Sequence, residues 1–122
     1  MSLSRAQGEF SENLGKLIKF IYLEAETWEH PEGYYCSIRE VQRFPERQKK
    51  LVEEGLSKTL NSDHLKSLAV DIVLFDEETG QYLRKLEDYK QFGKYWKYLH
   101  EKNYWGGDWK SPSDGNHFGR KQ

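Results

Sequence analysis

Four side chains in this sequence have the types and spacing for metal or acid–base chemistry. His64 and Asp71 lie in Asn61-Ser62-Asp63-His64-Leu65-Lys66-Ser67-Leu68-Ala69-Val70-Asp71-Ile72, where a polar connector passes into an apolar run. Asp114 and His117 lie in Asp108-Trp109-Lys110-Ser111-Pro112-Ser113-Asp114-Gly115-Asn116-His117-Phe118. Two imidazoles and a carboxylate can make an open zinc site, with a position left for water. A further carboxylate nearby could move protons. His30 and His100 lack matching carboxylates: the first stands in a turn beside Pro31, the second near a helix end where its charge suits the dipole.

The elements that must hold these groups follow from periodicity. From Ser11, the residues Leu14, Leu17, Ile18, Ile21, Tyr22 and Ala25 fall at helical spacing, with Glu12 in the first turn, and residues 1–10 are read as a flexible N-terminus. His30-Pro31-Glu32-Gly33 breaks that helix, and Tyr34 to Val41 is rich enough in aromatic and β-branched residues for a strand. Pro45 suits the first turn of a second helix that runs to Glu54 and stops at Gly55. Ser57 to Ser62 is a polar connector that delivers His64.

Leu68 to Phe75 predicts a buried strand, with Ala69, Asp71 and Val73 on one face and Val70, Ile72 and Leu74 on the other. A carboxylate inside such a strand is costly unless paired or protonated, so Asp71 should meet a cation or strong donors. Glu77 to Gly80 is a turn, and a third helix is predicted between Leu83 and Lys102, with Gly93 as its weak point. Asn103 to Trp109 reads as an aromatic, glycine-bearing loop, and Gly115 to Phe118 enters a short last strand.

Composition narrows the classes. A chain of 122 residues fits one domain. Trp, Tyr and Phe at 4, 8 and 6 make it too aromatic to be disordered despite 32% charged residues. Nineteen basic against 20 acidic residues leave a formal charge of −1, which argues against general nucleic-acid binding. Cys36 is the only cysteine, so any metal must use His, Asp or Glu. There is no apolar run for a signal peptide or a bilayer span. The expectation is a monomer made in the cytoplasm, without membrane insertion, released by another factor if it works outside.

At the two histidine stretches the pattern becomes specific. Ser62-x-His64, Ala69-x-Asp71-Ile72, Trp105-Gly106-Gly107-Asp108-Trp109 and Asp114-x-x-His117-Phe118, in that order, resemble the zinc peptidases that include D-alanyl-D-alanine carboxypeptidases, D,D-dipeptidases and phage L-alanyl-D-glutamate endolysins. Upstream, Glu40-Val41-Gln42-Arg43-Phe44-Pro45-Glu46 looks like the family segment with a substrate-contacting arginine. Ser67 stands where the family usually has glycine, which would strain the turn if that position needs a positive φ. Gln42 replaces an aromatic residue common before the arginine.

The resemblance implies that residues 1–122 form a single zinc peptidase domain of α+β class. Helices would flank a small, mainly antiparallel sheet whose open face carries the zinc. It implies His64, Asp71 and His117 as metal ligands and Asp114 as general base, although Ser113-Asp114-Gly115 is also ordinary turn chemistry. Arg43 is nominated as a catalytic and substrate-binding cation, against a bland reading as a solvated arginine. Ser62 would contact substrate or act as a local cap, and Trp109 would pack over the site or touch substrate. Asp108 is a candidate to brace a ligand histidine from behind.

The implied partner is the peptidoglycan stem peptide, cut between L-Ala and D-Glu, with D-Ala-D-Ala carboxypeptidase activity as runner-up. A reading from another class is a non-catalytic, metal-containing module that binds cell wall or protein; the acid at position 114 argues against it.

Overall fold

A computed structural model of the chain describes residues 2–41, 45–55 and 63–122, and for residues 45–48 and 64 the backbone alone. Helix α1 (Leu3–Lys19) runs into a π-helical turn (Phe20–Glu24) and is followed by strand β1 (Tyr34–Glu40) and helix α2 (Pro45–Glu53). A 3-10 turn (Asp63–Lys66) leads into β2 (Ala69–Asp76), then α3 (Leu86–Leu99), β3 (Asn103–Trp105), a second 3-10 turn (Gly106–Asp108) and β4 (His117–Arg120). The strands form one sheet in the order β1-β2-β4-β3, and every neighbouring pair is antiparallel. The α+β class and the small antiparallel sheet are as expected.

The core lies between one face of this sheet and the two long helices. Val70, Ile72 and Leu74 of β2 and Phe118 of β4 cluster with Phe10 and Leu17 of α1 and Phe92 and Trp96 of α3. The Trp96 ring meets Phe10 and Phe118 edge-on, at 5.6 and 6.2 Å between centroids. Because side chains alternate along a strand, Asp71 and Val73 are sent to the opposite, less buried face.

Several boundaries differ from the periodicity. Helix α1 begins at Leu3 rather than Ser11, capped by Ser2, whose Oγ accepts the Arg5 backbone N–H at 3.2 Å. Ala6 and Phe10 are buried, so this stretch is packed helix instead of a flexible lead, and Glu12 sits mid-helix. The same helix answers for Arg120, which is wholly buried and pairs with Glu9 at 3.0 Å. A cation at such depth must be paired, and this pair fastens β4 to α1.

Helix α3 is shorter than predicted at both ends but runs unbroken through Gly93, against which the Trp105 indole packs. The segment 103–109 holds a strand and a 3-10 turn instead of a loop, partly because the Asn103 side chain donates to the Trp96 carbonyl at 2.8 Å. Among the described residues no helix is long and apolar enough to cross a membrane.

Candidate metal centre

The open face of the sheet places Asp71 and His117 directly opposite each other, as register partners on β2 and β4. Facing residues of an antiparallel pair carry their side chains on the same side, and His117 Nδ1 stands 3.5 Å from Asp71 Oδ1. Two irregularities frame the pair. On one side the register of β1 and β2 shifts between Ile38 and Glu40, next to Asp71. On the other, Asn116 donates its side-chain amide to the Ile72 carbonyl at 2.9 Å and accepts the Ile72 N–H on its own carbonyl at 2.9 Å.

The loop before β4 brings in the third group. The Asp114 N–H donates to the Gly106 carbonyl at 2.9 Å, the His117 N–H to the Asp114 carbonyl at 3.2 Å, and the Asn116 N–H to Asp114 Oδ1 at 3.2 Å. This approach needs glycine at 106: a Cβ there would lie 2.4 Å from the Asp114 carbonyl oxygen and 2.8 Å from the His117 Cβ. Trp105, nearly buried, donates its indole N–H to the Gly115 carbonyl at 2.8 Å and holds the same loop.

Asp71, Asp114 and His117 each offer a ligand atom, and these atoms all lie within 4.8 Å of one another. Donors about 2.0–2.1 Å from a tetrahedral zinc are separated by roughly 3.4 Å, so the 3.5 Å between His117 Nδ1 and Asp71 Oδ1 suits that ion, which accepts both imidazole nitrogen and carboxylate oxygen. Glu29, His30 and Asp88 also have such atoms within 4.8 Å. There His30 Nδ1 is already bonded to Asp76 at 2.5 Å, a tie between the loop before β1 and the end of β2.

Of the other expected residues, His64 has its backbone in the 3-10 turn Asp63–Lys66, while Arg43 and Ser62 lie outside the described residues. Trp109 is 44% exposed and its ring lies 4.9 Å from that of His117, at the rim of the site. Asp108 is half exposed and pairs with Lys97 at 2.6 Å.

Two residues missed by sequence reasoning complete the surroundings. The Tyr104 hydroxyl donates to Asp63 Oδ2 at 2.5 Å and lies 3.2 Å from His117 Nε2. Burial, and then the Asp63 carboxylate, push this hydroxyl far above the usual phenol range, so it keeps its proton. Lys121 Nζ lies 3.7 Å from the same Asp63 oxygen. Tyr104 was hidden among neighbouring aromatics, and Asp63 by its place in a polar connector.

A family profile described as D-alanyl-D-alanine carboxypeptidase matches residues 55–120. The chain is also similar to the crystal structure of the Serratia marcescens L-Ala D-Glu endopeptidase ChiX, with 32% identity and a TM-score of 0.61 over 71% of this chain and 67% of that one. No curated protein sequence matches the chain.

Proposed function

Since the chain belongs to the D-alanyl-D-alanine carboxypeptidase family of peptidases, we propose that it is a zinc-dependent hydrolase of a peptide bond in the peptidoglycan stem, cutting between L-Ala and D-Glu. The observation that carries this reading is the meeting of Asp71, Asp114 and His117 on the open face of the sheet. Likeness to an L-Ala D-Glu endopeptidase supports the choice of bond. The family description favours a second reading, removal of a terminal D-Ala.

In this mechanism His64, Asp71 and His117 would hold the ion. A bound zinc supplies Lewis acidity, lowering the pKa of a water to about 7 and polarising the scissile carbonyl. Asp114 accepts the proton of the attacking water and returns it to the leaving amine. The loop bonds through Gly106 keep that carboxylate within reach of the ligand atoms. Trp109, at the rim, offers an apolar wall to the peptide, and Arg43 is assigned to a substrate carbonyl or carboxylate through its planar fork.

Purified peptidoglycan digested with the protein and analysed by mass spectrometry tests both bond and activity. Fragments with new D-Glu amino ends are expected, and loss of single D-Ala residues would transfer the assignment to the second reading. Asp114→Asn should lower kcat by about 10²–10⁴ while zinc content is kept. One zinc per chain with no new ends released would end the hydrolase reading in favour of a binding module.

A further inference from the structure

We propose that Tyr104 and Asp63 are positioning residues that hold His117 as the Nε2–H tautomer and so aim its Nδ1 at the ion. The inference deepens the proposed metal reading and rests on it for its last step only. It begins with one proton. A phenol has a single O–H, and an ionised carboxylate can only accept. The Tyr104 proton therefore goes to Asp63 Oδ2 at 2.5 Å, and Lys121 Nζ lies 3.7 Å from that same oxygen.

With its proton committed, the Tyr104 oxygen meets His117 Nε2 at 3.2 Å as an acceptor, so Nε2 must carry the hydrogen. A neutral imidazole with Nε2–H has its lone pair on Nδ1. That atom is the one 3.5 Å from Asp71 Oδ1. In the proposed metal reading that lone pair is what the ion would meet beside the Asp71 and Asp114 carboxylates, whose ligand atoms and that of His117 all lie within 4.8 Å of one another.

The relay is built to hold still. Tyr104 is the register partner of Gly119, and its ring lies so close that a Cβ on Gly119 would sit 2.4 Å from Tyr104 Cζ and Oη. The Tyr104 and His117 rings stack at 5.5 Å with 27° between planes, and Lys121 Nζ lies 4.5 Å from the Tyr104 ring centroid. Asp63 directly precedes His64, so the bond from Asp63 through Tyr104 ties the segment bearing one expected ligand to the ring of another. A hydrogen-bond partner behind a metal-binding histidine fixes its tautomer and raises its basicity, and removing such a partner weakens metal binding by about 10–100-fold.

The test is Tyr104→Phe, which keeps the ring and its stacking. Zinc affinity is measured by competition with a chromophoric chelator, and the His117 tautomer by long-range nitrogen–proton NMR on metal-free protein near about pH 8, where an ordinary imidazole is neutral. Zinc affinity should fall by about 10–100-fold and the Nε2–H preference should disappear. Asp63→Asn, whose amide oxygen still accepts from the phenol, should keep most of the affinity that Asp63→Ala loses. Affinity within about twofold of the parent, or an unchanged Nε2–H population in Tyr104→Phe, would overturn the proposal. A parent protein that binds no zinc would sink the metal reading, whereas the metal-free tautomer measurement would still decide whether Tyr104 sets the ring.

Discussion

Ser67 closes the turn between the 3-10 turn Asp63–Lys66 and strand β2 with a φ of 55°, the left-handed region. Bonds on both sides impose that value: the Leu68 N–H donates to the Asp63 carbonyl at 3.0 Å, and the Gln7 side chain donates to the Lys66 carbonyl at 2.8 Å. For a residue with a Cβ this conformation costs about 1–2 kcal/mol. Ser67→Gly removes the cost but gives the unfolded chain extra freedom, worth about 0.5–1 kcal/mol. The net expectation is a gain of about 0.5–1 kcal/mol, or roughly 2–4 °C in Tm for a domain of this size. Calorimetry of metal-free protein measures it without interference from ligand binding. Ser67→Ala serves as control, because it deletes the hydroxyl and keeps the strain, and should stay within about 0.5 kcal/mol of the parent. A Ser67→Gly protein no more stable than the parent, or an alanine variant that gains as much, would refute the strain argument.

Two further changes test the supports of the site. Gly106→Ala drives a methyl into the Asp114 carbonyl and the His117 Cβ, and should cost about 1–3 kcal/mol as overpacking does. Hydrolysis and zinc affinity should fall together in that variant, and normal activity would show that the loop does not position Asp114. At the far end of β2, the Asp76 carboxyl is held below its ordinary range by the Thr79 backbone N–H and then by His30. A depressed carboxyl stabilises the fold above its unfolded value of about 3.9 and loses that contribution as pH falls through its folded value. Urea-unfolding series for the parent and Asp76→Asn should therefore differ at neutral pH and converge below about pH 4; a constant gap would remove the charge from the explanation.

The sequence made legible what depends on neighbours along the chain. Alternation in β2 separated Asp71 from Val70 and Ile72 before any partner was known, and Pro45 and Gly55 bracketed α2, with Gly55 at φ 75°. The strained turn at Ser67 was visible because an unusual residue stood where glycine was expected. The start of α1 was lost because Ser2 to Arg5 offers little apolar signal, though Leu3, Ala6 and Phe10 continue the stripe of Leu17 and Ile21. Asp108 stands in the 3-10 turn Gly106–Asp108, and its pairing with Lys97 is a contact that the local pattern does not reveal. Tyr104 finds Asp63 across 41 residues, a meeting that local pattern does not encode.

That meeting, like the approach of Asp71 to His117, is a consequence of strand register. Asp71 faces His117, and Tyr104 faces Gly119, only in the observed pairing. A slip of one residue between β2 and β4 would turn His117 toward the core and Phe118 toward the open face. Phe118 resists this because it is buried against Trp96, and Arg120 because its buried charge must reach Glu9. Asn116 adds a third lock through its two bonds to Ile72. The residues that set the geometry of the candidate site are therefore largely apolar or structural ones behind it. Changes at Phe118 or Glu9, neither of them an expected ligand, should weaken zinc affinity through altered register.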